Sequence, residues 1–199
     1  MRIVAFVHQK GGTGKTTLAI GTAIALAETG ARVLLVDADV QGTASEWGRR
    51  WGQRWNVVCR SQMQPIIHEQ TDRFERMFDW MIVDGPPNVS EMTASIFKAA
   101  DGVLIPIRPS LPDIWALENL AALHERLTAE GNAGTVFVVW NQVVDPPTEG
   151  MVAQVSAMPW PVSPRLIPWD AAWMQLMEGA PVPDNSGKYL RALATGILS

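Results

Sequence analysis

Cysteine occurs once in 199 residues, at Cys59. A single thiol cannot close an internal disulfide, and it excludes a metal site built from cysteines alone. Charge is also scarce: Asp, Glu, Lys and Arg make up 18% of the chain and leave a net charge of −4. That balance gives no overall attraction to nucleic acid, so a DNA contact has to come from a local basic patch. No apolar run approaches the ~20 residues that span a bilayer. The first residues lack the basic region, apolar stretch and cleavage site of a secretory signal, so a cytoplasmic protein is expected. No internal repeat, low-complexity segment or linker appears, and residues 1–199 fit one domain with a full core.

Tryptophan, by contrast, occurs nine times, and aromatic side chains in such number serve a core or an interface first. Trp47, Trp51 and Trp55 recur every four residues along a helix predicted from residue 43 to about 53, with Arg49, Arg50 and Arg54 beside them. Either this helix packs through its tryptophans behind a solvated basic edge, or it offers indole and guanidinium to a partner or a DNA backbone.

The organising stretch is Lys10-Gly11-Gly12-Thr13-Gly14-Lys15-Thr16-Thr17. It follows an apolar strand over residues 3–7 and opens a helix that runs to about residue 28, with Gly30 as its stop. Three glycines let the backbone turn tightly enough for successive N–H groups to face one phosphate chain. The helix start places its positive end at the same point. Lys15 is then a compact cation for the outer phosphates, and the Thr16 hydroxyl is a natural Mg²⁺ ligand. The full G-x-x-x-x-G-K-[ST] template is not met, because its first glycine falls within His8-Gln9-Lys10.

Lys10 precedes this cradle and need not touch its own subunit's phosphates. The run K-G-G-x-G-K-T resembles the signature of the ParA/MinD family of deviant Walker A ATPases, and the chain looks closest to the small ParA-type (ParF-like) members. The resemblance implies that Lys10 reaches the partner's phosphates in an ATP-sandwich dimer. The nitrogenase iron protein is similar in this loop but needs cysteines for its cluster, which a lone Cys59 does not supply.

A second apolar strand over residues 31–36 ends in Asp37-Ala38-Asp39-Val40-Gln41-Gly42. Acids at the carboxyl end of a buried parallel strand sit where such sheets bind ligands. The segment resembles the family's D-x-D-P-Q-G with Val40 in place of proline, which removes stiffness but no reacting group. The resemblance assigns Asp39 to positioning the attacking water and Asp37 to the Mg²⁺ shell, although an aspartate here also suits a helix cap. After a short strand candidate at residues 57–59, an apolar strand ends in Asp84-Gly85-Pro86-Pro87, where Asp84 can hold Mg²⁺ through water; this looks like the family's Walker B, and another buried strand follows over residues 102–107. Asn141, after a strand over 135–140, resembles the base-contacting position, though it equally suits a turn. Pro168 looks like part of the base-side loop, with Trp169 and Trp173 either there or at a dimer face. The implied site has Lys10, Lys15 and Asp39 in the chemistry. Lys10 through Thr17, with Asn141 and Pro168, would hold ATP, and Thr16, Asp37, Asp39 and Asp84 would surround Mg²⁺.

Further helices are predicted over about 66–78, 88–100, 113–130 and 187–199, the last with Tyr189, Leu190, Leu193 and Ile197 on one side. His124, on the third of these, reads as an ordinary edge histidine. Strands alternating with helices predict a three-layer α/β/α P-loop NTPase fold around a mostly parallel twisted sheet of about seven strands. The resemblance implies an ATPase that dimerises on ATP, binds DNA non-specifically on the nucleoid, and is released when a ParB-like or centromere-binding adaptor stimulates hydrolysis. Arg49, Arg50, Arg54, Arg165, Lys188 and Arg191 are the candidate DNA contacts. A MinD-like membrane switch would need a basic amphipathic helix, but residues 188–199 carry only Lys188 and Arg191 as cations, so no stable membrane association is expected. A metabolic enzyme that uses ATP to activate a small substrate is the other alternative.

Overall fold

Uninterrupted apolar runs become strands, and the small-residue and amphipathic runs between them become helices. The computed structural model describes residues 1–131, 133–183 and 186–196. In chain order the elements begin β1 (Arg2–Phe6), α1 (Lys15–Ala27), β2 (Val33–Asp37), α2 (Thr43–Trp51), β3 (Val57–Ser61) and α3 (Ile67–Phe74). They continue β4 (Trp80–Asp84), α4 (Glu91–Ala99), β5 (Gly102–Ile107), α5 (Leu111–Trp115), α6 (Leu117–Ala129) and β6 (Thr135–Trp140). The chain closes through α7 (Glu149–Ser156), α8 (Ala172–Gln175), a 3₁₀ turn at Leu176–Glu178, and α9 (Ser186–Gly196).

The strands form one parallel sheet in the order β3-β2-β4-β1-β5-β6. From β1 the chain winds outward to β2 and β3, then returns to β4 and crosses to β5 on the far side of β1. The carboxyl ends of β1 and its neighbours therefore flank the switch point where open α/β sheets bind ligands. One apolar layer packs α1, α2, the 3₁₀ turn and α9 on the sheet. The opposite layer is built from α3, α4, α5, α6 and α7. A continuous apolar strand suits this position because both of its faces are covered.

The sheet has six strands rather than the expected seven. Residues 161–168 do run beside β6, but only as isolated parallel bridges, Val138 with Val162 and Val143 with Pro168. Pro161, Pro164 and Pro168 lack the N–H that a continuous ladder requires. The expected helix over 113–130 begins earlier, at Leu111, and is interrupted at Ala116. That residue keeps right-handed angles, φ −65° and ψ −16°, and its N–H reaches back to the Pro112 carbonyl at 3.3 Å, so the chain stays close to helical through the break. Helix α7, started by the Thr148 side chain accepting from the Met151 N–H, and helix α8 were not anticipated. The closing helix is observed over Ser186–Gly196, while Ile197 and Ser199 lie outside the described residues. Among the described residues no helix is long and apolar enough to cross a membrane.

The α4 face of the sheet centres on Phe97, which is fully buried and lies 5.6 Å from the His124 ring, centroid to centroid. Phe97→Ala should cost about 3–5 kcal/mol of unfolding free energy; urea denaturation of the two proteins measures the difference.

Candidate active site

The strand register brings the motifs together. Phe6, the last residue of β1, lies opposite Asp84 of β4, and Asp84 lies opposite Asp37 of β2. The phosphate-loop segment after β1 and both carboxylates therefore share one edge. Gly14 precedes α1 with φ 94° and ψ 14°, a left-handed conformation natural to glycine. A Cβ there would run into the Asn141 amide. The loop is braced from the end of β6, where Asn141 Nδ2 donates to the Thr13 carbonyl at 2.7 Å and Gln142 Nε2 to the Gly12 carbonyl at 2.9 Å.

Lys15 is almost fully buried, and its Nζ donates to the Lys10 carbonyl at 3.1 Å. Burial lowers its pKa, while Asp84 and Asp39 pull it back up. A desolvated ammonium of this kind gains strongly from an incoming anion. Lys10 itself is fixed only through its main chain: its carbonyl accepts from Lys15, and its N–H donates to His8 Nδ1 at 2.9 Å. The Lys10 side chain is exposed.

Asp84 has no exposed surface, and among the described residues no well-formed hydrogen bond reaches either carboxylate oxygen, with the Thr16 hydroxyl standing beside it. Burial pushes its pKa up to about 7, with Asp37 and Asp39 adding to the rise and the nearby Thr16 hydroxyl and Lys15 opposing it. A buried carboxylate so short of donors is a costly arrangement that a cation relieves. The donor set of Asp84 and Thr16 beside a phosphate loop thus fits Mg²⁺, which commonly takes one or two protein ligands together with substrate phosphates. Among the described residues no three His, Cys, Asp or Glu side chains gather as a metal site by themselves.

Asp37 is fully buried, and both of its oxygens accept backbone N–H groups, from Asp39 at 3.1 Å and from Ser45 at 2.6 Å. It therefore ties the β2 end to the first turn of α2. Asp39 is half-buried, and its Oδ1 accepts from the Gln41 N–H at 3.0 Å. Val40 beside it is 80% exposed, so the place expected for proline faces solvent.

A cavity of about 410 Å³ continues from the loop at Gly14, Thr17 and Leu18. Asn141, Gln142, Pro168, Trp169, Asp170, Trp173, Met174 and Met177 line the rest of it. Pro168 and both tryptophans thus stand at the cavity. Asn141 borders it as well, but its amide nitrogen is already committed to Thr13. Gln142, Met174 and Met177 were not singled out from the sequence.

A buried network behind the loop was also missed. His8 is fully buried, and burial lowers its pKa to about 4. With Nδ1 accepting from Lys10, the ring's proton lies on Nε2 and is donated to the Asp113 carbonyl at 3.2 Å. The Asp113 carboxylate in turn clamps Arg108 through Nε at 2.8 Å and Nη2 at 2.9 Å. The one available signal was an arginine just after a buried strand with an aspartate five residues on.

Residues 4–182 match the family model described as the CobQ/CobB/MinD/ParA nucleotide binding domain. The chain is 35% identical over 138 residues to maintenance of carboxysome distribution protein A of Gloeobacter kilaueensis, covering 69% of this chain and 62% of that one. It is 30% identical over 153 residues to the chromosome-partitioning ATPase Soj of Thermus thermophilus, covering 62% and 60%. It thus spans about three fifths of the length of these curated relatives. Its fold matches apo McdA from Cyanothece with a TM-score of 0.79, at 18% identity over 99% of this chain and 98% of that one. An ATP complex of McdA matches at 0.77, with 17% identity over 99% and 95%. At such identity these structures establish likeness of fold.

The Asp84 pKa yields a signed test. Its folded value of about 7 lies above the ordinary 3.8, so the folded state holds the proton more tightly and loses stability as pH rises across that interval. His8, lowered from 6.5 to about 4, acts oppositely and loses stability as pH falls. Asp84→Asn should therefore raise the Tm of the ligand-free protein at pH 8, with the gain fading toward pH 4. Thermal unfolding across pH measures it, and an equal gain at every pH would contradict the assignment.

Proposed function

The chain belongs to the CobQ/CobB/MinD/ParA nucleotide-binding domain family, and from that membership we propose a ParA-type, Mg²⁺-dependent ATPase that segregates DNA or positions a cellular cargo. The observation that carries this reading is Lys10. Its N–H and carbonyl are both engaged by the loop, while its side chain is exposed and has no hydrogen bond or ion pair among the described residues. A cation held at its root and free at its tip suits a role on a second subunit's phosphates in an ATP-dependent homodimer.

Within one subunit, the backbone amides from Gly11 to Thr17 and the α1 start bind the triphosphate, with Lys15 as the buried cation. Thr16 and Asp84 would hold Mg²⁺, which when bound neutralises phosphate charge. Asp37 fixes the β2–α2 turn through its two N–H contacts and thereby places Asp39. The Asp39 carboxylate, held by the Gln41 N–H, orients the attacking water. Thr17, Asn141 and Pro168 border the cavity that takes the base. A slow basal rate follows if the second subunit has to complete the site.

Non-specific DNA is the proposed track, with a ParB-like or centromere-binding adaptor as the proposed trigger and the nucleoid as the location. Of the basic candidates, Arg49 and Arg50 are both paired with Glu46, and Arg191 lies 3.8 Å from Glu28. Arg54, Arg165 and Lys188 have no ion pair among the described residues, which leaves them available to phosphates. The membrane alternative is disfavoured by α9, whose Leu190 and Ala194 are buried in the core.

Asp39→Ala should keep ATP affinity but turn over at least tenfold more slowly (about 1.4 kcal/mol of barrier) and accumulate as dimer, read by single-turnover kinetics and light scattering. Lys15→Ala should lose most ATP affinity. The deciding experiment compares duplex-DNA binding with ATP and with ADP across a salt series. ATP-dependent, salt-sensitive binding supports the DNA-riding reading, and no binding at low salt in either state overturns it.

A further inference from the structure

Part of the cavity wall is made by short pieces of chain. Trp173 and Met174 lie on α8, only four residues long, and Met177 on the three-residue 3₁₀ turn. Helices this short do not hold themselves in water, and Trp169 and Met174 are 55% and 69% exposed. The wall therefore needs fixing from outside, and α2 and the turn after it supply that. Trp47 Nε1 donates to the Leu176 carbonyl at 3.0 Å within the core. Trp55 Nε1 donates to the Gly179 carbonyl at 3.3 Å. Between them the Trp51 ring lies against Gly179, where a Cβ would come within 2.5 Å of the indole. Gly179 also has a left-handed φ of 84°, so the ring face and the backbone angle both call for glycine there.

These contacts tie the segment to a distant part of the chain. The Leu176 carbonyl accepts the Gly179 N–H at 3.1 Å within its own turn, and the Trp47 indole of α2 adds a second donor to it, while the Trp55 indole, from the turn after α2, donates to the Gly179 carbonyl just past the helix end. The contacts join residues 129 and 124 positions apart. Together with Trp51, they account for the regular spacing of Trp47, Trp51 and Trp55.

We propose that Trp47 and Trp55 are positioning residues for the base side of the nucleotide cavity: they hold the α8–3₁₀ wall at its distance from the phosphate loop and thereby set how much the base adds to binding. This rests on the reading of the cavity as the base site. The same helix holds Asp37 through the Ser45 N–H, so α2 braces both ends of the site.

The test separates base from phosphates. Isothermal titration calorimetry would compare Mg²⁺-ATP with Mg²⁺-tripolyphosphate on the wild type and on the Trp47→Phe/Trp55→Phe double variant. Phenylalanine keeps an aromatic ring and removes both donors, and the volume lost at the buried Trp47 is a stability cost that bears on both ligands alike. ATP affinity should fall about tenfold in the variant, as expected for two lost neutral hydrogen bonds, with tripolyphosphate affinity unchanged. KM for ATP should rise with kcat at saturation kept within about twofold. Equal losses for both ligands would mean a structural role only and would overturn the proposal, as would an unchanged ratio in a folded variant. If the double variant does not fold, Trp55→Phe, half-buried in the wild type, carries the same comparison with a loss of about threefold to fivefold. A wild type that binds neither ligand would instead overturn the nucleotide reading beneath it.

Discussion

The structure depends on one register. Because β4 lies between β1 and β2 and all three run parallel, Phe6, Asp84 and Asp37 end side by side. The sheet does not merely carry the phosphate loop; it delivers two carboxylates to the same edge without any loop having to reach. A one-residue slip in a parallel pairing would turn every side chain to the opposite face. Buried apolar surface on both faces resists such a slip, so the position of the chemistry inherits the stiffness of the core.

That delivery carries an electrostatic cost that identifies the site. Lys15 and Asp84 are both removed from water, yet they do not satisfy one another: Lys15 donates to a carbonyl, and Asp84 has only the Thr16 hydroxyl beside it and no well-formed hydrogen bond among the described residues. Asp37, by contrast, is equally buried but fully engaged by two backbone amides. Two aspartates in the same register on neighbouring strands thus have different tasks. One is a structural clamp on the β2–α2 turn, and the other is a buried carboxylate without comparable hydrogen bonds. Unbalanced buried charges of this kind mark functional edges more often than packing ones.

Much of this was legible in the sequence because it is local. A strand, three glycines, Lys15-Thr16 and a helix occupy consecutive residues, so one backbone geometry places them all. The Asp37 and Asp84 strands were legible for the same reason, since an unbroken apolar run ending in an acid has few other uses. The seventh strand, expected at residues 165–168 from the family resemblance, is reduced to isolated bridges because the prolines around it remove ladder donors. The bracing by Asn141 and Gln142, and the His8–Asp113–Arg108 network, left little trace. Those contacts span 105 to 130 residues except for the Arg108–Asp113 pair, and only the strand order decides which ends meet. Asn141 shows the limit most clearly: its place after β6 was readable, but the commitment of its amide nitrogen to Thr13 was not.

The tryptophans sharpen the point, since their spacing was visible while their partner was not. A stripe at four-residue intervals says only that one helix face is apolar. What distinguishes packing from positioning is the polar end of each indole. A tryptophan used only for volume can leave its N–H wherever the core tolerates it, as Trp51 does, with a buried Nε1 and no partner among the described residues. Trp47 and Trp55 instead aim theirs at the carbonyls of one short segment, and that segment is the cavity wall. Since α2 also begins on the Asp37 clamp, α2 and the turn after it reach from the carboxylate edge to the cavity wall. On the proposed reading of the cavity, the spacing between those two places is therefore set by hydrogen bonds of known donor and acceptor at both ends of one helix-and-turn unit, and not only by the loops that line the cavity.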